Sequence, residues 1–237
     1  ELIHRFHLVA LPVVDDDGRR VGIVKFGEAI EAIQAEAGED LAVMFGAGDA
    51  ESVFTPVMHS VRMRLPWNIF NLVAGFITVF VISLFQDTLA TYALLAAFMP
   101  LVAGLSGNSG AQAVAVTIRS IAVGDLPSGR ERRAVRRELG IGVVRGVVVA
   151  TLGGFFAAGT VVMLSTGTAG VSPGQMGLII FISMIIGFLT AALAGSSIPL
   201  LLRRFGFDPA MASNIFLTMI TDSVGFGVFL ATATLLI

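Results

Sequence analysis

One aspartate, Asp222, stands where a membrane would leave a charge without water: thirteen uncharged residues precede it and fifteen follow it to the last residue. An ionised carboxylate at the centre of a bilayer costs about 2.5–3.5 kcal/mol even on the lenient insertion scale, so it persists only with a partner or in a wet cavity. The stretch Thr218-Met-Ile-Thr221-Asp222-Ser223, with Ser213-Asn214 just before it, gathers polar groups where a lipid-facing helix has none. The plainer reading is a protonated aspartate that hydrogen-bonds a neighbouring Ser or Thr and ties two helices together.

A second group lies in Pro100-Leu-Val-Ala-Gly104-Leu-Ser-Gly107-Asn108-Ser109-Gly110-Ala-Gln112. Asn108 and Gln112 are four apart and share a helix face, and their amide oxygens can accept hydrogen bonds from an ion's water shell. Pro100, Gly104, Gly107 and Gly110 are expected to loosen this helix and free carbonyls along a cavity. The alternative use of the glycines is close helix packing. Both groups offer oxygen donors only: the chain has no cysteine, and its histidines, His4, His7 and His59, all precede the apolar region. Hard cations choose such donors, and Mg²⁺ in particular keeps most of its water and needs few carboxylates. One carboxylate per chain is thin for a divalent ion, so a twofold homodimer bringing two Asp222 side chains to one axis is expected from charge balance.

Most of the 237 residues must sit in lipid to place these groups at that depth. The chain is 55% hydrophobic and only 14% charged, with a mean hydropathy of +0.88. Eleven of the seventeen acids lie in the first 51 residues beside four basic residues, which makes that segment strongly acidic. The chain starts at Glu1 without an initiator Met, so a longer protein is expected. Residues 8–24 hold two β-branched runs around a polar turn, Asp15-Asp-Asp-Gly-Arg-Arg20, which predicts a hairpin. A helix is expected over about 27–45, weakened at Gly38, followed by an amphipathic connector over 49–65 at the membrane surface.

Beyond Arg64 the spacing of charges sets the topology. Residues 65–86 and 88–118 carry no ionised side chain and predict two spans of about 20 residues or more. The uncharged run 146–202 is long enough for two, turned at Gly167-Thr-Ala-Gly-Val-Ser-Pro-Gly174, and residues 209–237 make the fifth. The eleven arginines after residue 61 fall before span one, around the loop between spans two and three, and between spans four and five. Since such loops stay cytoplasmic, the N-terminus is expected inside the cell membrane and the C-terminus outside. The fold class is therefore an all-α membrane protein with five transmembrane helices, preceded by a small α/β segment. An enzyme is not expected, because no nucleophile is paired with a base, and the arginine-rich loop follows from topology rather than from nucleic-acid binding.

The run Met99-Pro100…Gly107-Asn108-Ser109-Gly110-Ala-Gln112, the connector Arg64-Leu-Pro66-Trp67 and Asp208-Pro209-Ala…Thr221-Asp222…Gly225-Phe resemble the MgtE magnesium channels, over nearly all of residues 60–237. Leu11-Pro12-Val-Val-Asp…Gly18-Arg…Val21-Gly22-Ile similarly resembles the second half of a CBS domain, a module that in its complete form can take a nucleotide. The resemblance implies a partial CBS domain over 1–48, a connecting helix over 49–65 and a pore domain over 66–237. It implies a homodimer whose pore is lined by helices two and five. Hydrated Mg²⁺ would be held there by Asp222, the Thr218 carbonyl, Asn108 and Gln112, with Mn²⁺, Co²⁺ and Ni²⁺ as further divalent candidates. It also implies closure by cytoplasmic Mg²⁺ bridging acids that match Glu36, Glu39, Asp40 and Asp208. The acidic stretch after the second CBS strand reads here as Glu28 and Glu31, and Ile215 stands where the family commonly has proline. Two other readings are a proton- or Na⁺-coupled divalent cation transporter using Asp222 as its coupling group, and a membrane anchor for a nucleotide-sensing module.

Overall fold

The computed structural model describes residues 9–48, 51–127, 129–164, 170–211 and 213–237. His4, His7, Asp49 and part of the turn expected at 167–174 lie outside them, as does the Glu36 side chain. Strands β1 (Ala10–Val14) and β2 (Arg20–Lys25) pair antiparallel, with Leu11 opposite Val24 and Val13 opposite Gly22. The expected turn closes them because Asp15 Oδ1 accepts the backbone N–H groups of Asp17 and Arg19 at 3.1 and 2.8 Å. Gly18, at φ +75°, takes the left-handed position that this turn requires. Val13, Val14, Val21 and Ile23 are all exposed.

Helix α1 (Phe26–Met44) follows at once, started by Glu28, whose Oε2 accepts the Lys25 N–H at 3.0 Å. It runs unbroken through Gly38, because a single glycine costs only about 1 kcal/mol against alanine, less than a helix with tertiary contacts can absorb. Its last residue, Met44, is buried in an apolar cluster with Val114, Ile118, Ala210 and Leu217. Gly46 (φ +76°) then lets the chain pass tightly beneath Trp67, where a Cβ would come to 2.9 Å of that side chain.

The connector and the first span form one helix, α2 (Val57–Ser83), rather than a surface helix ending at Pro66. Pro66 removes its own N–H from the ladder and crowds the Arg62 carbonyl, at a cost of about 3 kcal/mol, yet the helix continues through it. From within α2, Arg64 clasps Glu51 in the segment ahead of the helix through two contacts, Nη2 to Oε1 at 2.6 Å and Nε to Oε2 at 3.0 Å. That guanidinium, aided by Ser60, holds the Glu51 carboxyl at about 2, well below the ordinary 4.5. Because the folded value is the lower one, the clasp stabilises fully above pH 4.5 and is lost as pH falls from there toward 2. Trp67, the only tryptophan, sits one turn beyond Arg64 and reports on it. Acid titration of its fluorescence should show a midpoint near 2 in the wild type, moving up toward 4.5 in Arg64→Gln.

After the short α3 (Gln86–Thr91) come α4 (Leu94–Ala122), α5 (Glu131–Met163), α6 (Pro173–Arg204) and α7 (Ser213–Leu236). Helices α2, α4, α5, α6 and α7 are each long and apolar enough to cross a membrane, in agreement with the expected five spans. The protein is thus an all-α, multi-pass membrane protein with a small two-stranded sheet at its N-terminal side. Helix α6 is the axle: it starts at a Ser172–Gln175 capping box and packs on α4, α5 and α7. Helix α5 meets it through Gly142, Gly146, Ala150 and Gly154, which with Glu138 form a buried stripe at every fourth position. Small residues there let the backbones close up; a Cβ on Gly154 would reach the Gly177 carbonyl at 2.7 Å. The outer face of α2, by contrast, offers Leu72, Val73, Phe76 and Phe80 to lipid.

Candidate ion path

Helix α4 divides cleanly by face. Leu95, Val102, Ser106, Ser109, Gly110, Ala113, Val114 and Thr117 are buried against the bundle. The opposite stripe, Leu101, Gly104, Asn108, Gln112 and Ala115, at steps of three and four, is exposed. Asn108 and Gln112 thus share a face, as their spacing predicts, and that face points out of the single chain at membrane depth. The helix is continuous through Pro100, Gly104, Gly107 and Gly110, so the expected loosening produces no break in it. Pro100 still leaves the Ala96 carbonyl without its helical donor. Gly110 serves contact instead: a Cβ there would meet the Leu217 side chain at 2.6 Å.

Helices α4 and α7 touch at the residues just before Asn108 and Asp222. A Cβ on Gly107 would lie 3.9 Å from Thr221 Oγ1, and one on Gly225 would lie 3.8 Å from Ser106 Oγ. The crossing therefore carries Asn108 and Asp222 on neighbouring helices at a similar level. Asp222 is half-buried and, among the described residues, has no ion pair and no side-chain hydrogen bond. The two threonines nearby are spent on their own helix: Thr221 Oγ1 donates to the Leu217 and Thr218 carbonyls, and Thr218 Oγ1 donates to that of Asn214. Among the described residues of the single chain, no Ser or Thr hydroxyl is hydrogen-bonded to the Asp222 carboxyl. The polar tie between α2 and α7 falls one residue on, where Ser223 Oγ meets Thr78 Oγ1 at 2.8 Å. Sequence reading missed this bond; a hydroxyl inside each of two apolar helices is its only signal.

Glu28, Glu31, Glu39, Asp40 and Asp208 do not gather into a cluster of three or more that could hold a metal among the described residues. Glu28 caps α1, Glu31 and Glu39 are exposed, and Asp208 Oδ1 accepts the Ala210 N–H at 2.8 Å, turning the chain into α7. Asp40 is partly buried on α1, one turn from the Met44 contact with the bundle.

Five apolar helices long enough to cross a membrane, with amides and a carboxylate beside the crossing of two of them, define a multi-pass membrane protein with polar groups at membrane depth. The family-model comparison gives this class a particular form: residues 99–232 match MgtE, the divalent cation transporter model, and the chain belongs to that family. Among curated relatives, the magnesium transporter MgtE of Enterococcus faecalis is 32% identical over 222 residues, covering 94% of this chain and 47% of that protein. The magnesium transporters MgtE of Thermus thermophilus and Bacillus subtilis are each 30% identical, over 100% and 98% of this chain and 50% and 49% of their own lengths. The chain spans about half the length of these relatives.

Proposed function

We propose that this chain forms the pore domain of a Mg²⁺ channel, in which two copies enclose a wet path lined by α4 and α7. The observation that carries the reading is the exposed stripe of Asn108 and Gln112 on a membrane-spanning helix. Lipid offers those amides no hydrogen bonds, whereas a second copy enclosing water between the stripes satisfies them. Asp222 then supplies one negative charge from each copy to a hydrated divalent ion. Mg²⁺ sheds water reluctantly, so outer-shell contacts from amides suit it better than a cage of direct ligands. The family membership and the names of the three relatives support the choice of Mg²⁺.

Gating belongs to the same proposal. The α1 end, with Met44 packed beneath α4, α6 and α7, is placed to pass a movement of the acidic segment to the path. Glu36, Glu39, Asp40 and Asp208 are the acids assigned to sensing cytoplasmic Mg²⁺, and the exposed apolar residues of β1 and β2 fit strands that belong to a larger CBS sheet.

The native chain has no cysteine, so a single introduced thiol can be followed alone. Asn108→Cys and Gln112→Cys should react with a charged, membrane-impermeant thiol reagent, because reaction requires thiolate in water. Val148→Cys, on an exposed apolar position of α5, should not. Equal silence at all three sites would mean that the α4 stripe faces lipid, and the pore assignment would fall.

A further inference from the structure

Between the start of α5 and the end of α6 lies a cavity of about 740 Å³, separate from the ion path. Arg132 and Arg136, one turn apart on α5, line one side; Arg203 and Arg204, closing α6, line the other. Glu131 is the single acid among the described lining residues, and its Oε2 already accepts the Gly129 N–H at 2.8 Å. Arg203 is held in place by donating to the Leu126 carbonyl at 3.2 Å. Leu200 and Leu201 form an apolar wall on the membrane side, and Leu201 is half exposed.

Four exposed guanidinium groups against one carboxylate among the described lining residues give this cavity a net positive charge that favours an anion. Planar, forked donors match phosphate oxygens, and the volume falls within the roughly 300–1,000 Å³ typical of small-molecule sites. Location selects the source of the phosphate. Helix α6 has 32 residues, about 48 Å at a rise of about 1.5 Å each, against a hydrocarbon core of about 30 Å. Its last turn therefore stands in the headgroup layer, and an acyl chain can run up along Leu200 and Leu201. We infer that this cavity binds the phosphate headgroup of an anionic phospholipid and so ties the α5–α6 pair to the membrane surface.

Native mass spectrometry of the purified protein, titrated with phosphatidylglycerol or phosphatidylcholine of matched chains, tests this. The wild type should retain phosphatidylglycerol at about one-tenth the concentration needed for phosphatidylcholine, an advantage of about 1.4 kcal/mol. The pair Arg136→Gln, Arg204→Gln should erase that preference, while Arg62→Gln, outside the cavity, should keep it. Equal retention of the two lipids by the wild type overturns the inference without any variant. An equal loss in Arg62→Gln overturns it too, by reducing the effect to general surface charge. Displacement of the lipid by soluble glycerol phosphate at the same concentration would assign the site to free phosphate and overturn the lipid source.

Discussion

Asp222→Ala should bring Mg²⁺ flux into protein-containing liposomes close to background while leaving thermal unfolding nearly unchanged. The change removes one negative charge per copy, and with it the charges that offset a hydrated divalent ion in the path, so ion occupancy should fall by at least about tenfold, equivalent to about 1.4 kcal/mol. The fold should tolerate the change, because the Asp222 side chain makes no hydrogen bond or ion pair among the described residues. Asp222→Asn keeps an oxygen and the side-chain volume but loses the charge, so it should lose most of the flux as well. If Asn transports like Asp, outer-shell hydrogen bonding rather than charge holds the ion. If Ala transports like Asp, the path does not pass this residue. A flux that persists without a proton gradient would in addition exclude proton coupling.

Gly195→Ala should be among the most damaging single-methyl changes in the bundle. A Cβ there would stand 2.5 Å from the Gly110 carbonyl oxygen and 2.9 Å from the Ala113 Cβ, both fixed to the backbone of α4. No side chain can swing away, so α4 must move off α6, at a typical overpacking cost of about 1–3 kcal/mol. Thermal unfolding in detergent reads that loss directly. Because α4 carries Asn108 and Gln112, transport should fall together with the melting temperature, unlike the Asp222 variants, which separate the two. Gly104→Ala is the matched control: a Cβ there meets nothing within 4 Å, and alanine in a helix gains up to about 1 kcal/mol over glycine. Equal melting of both variants would mean that the α4–α6 contact is looser than the structure has it.

Much of the architecture was legible in the sequence because lipid imposes rules that hold over short ranges. A span needs about 20 apolar residues, arginines collect at one set of ends, and a lone Asp222 among uncharged residues marks itself. The hairpin turn at Asp15–Gly18 was equally local, since a side-chain oxygen and one left-handed glycine suffice to make it. Even the α5 stripe from Glu138 to Gly154 was written at a spacing of four, although the sequence reading passed over it.

Other features depend on distances between segments far apart in the chain, which spacing does not encode. Sequence treats Gly104, Gly107 and Gly110 alike, yet only the packing shows that Gly110 receives Leu217 while Gly104 faces outward. The connector and first span join into one helix across Pro66, although a proline in a helix interior costs about 3 kcal/mol. The arginine cavity needs the start of α5 beside the end of α6, more than sixty residues apart. Composition and periodicity determined which segments enter the membrane and which residues are chemically unusual there. The tertiary structure decided which of those residues meet, because helix packing is set by side-chain volumes across a crossing rather than by the order of residues along either helix.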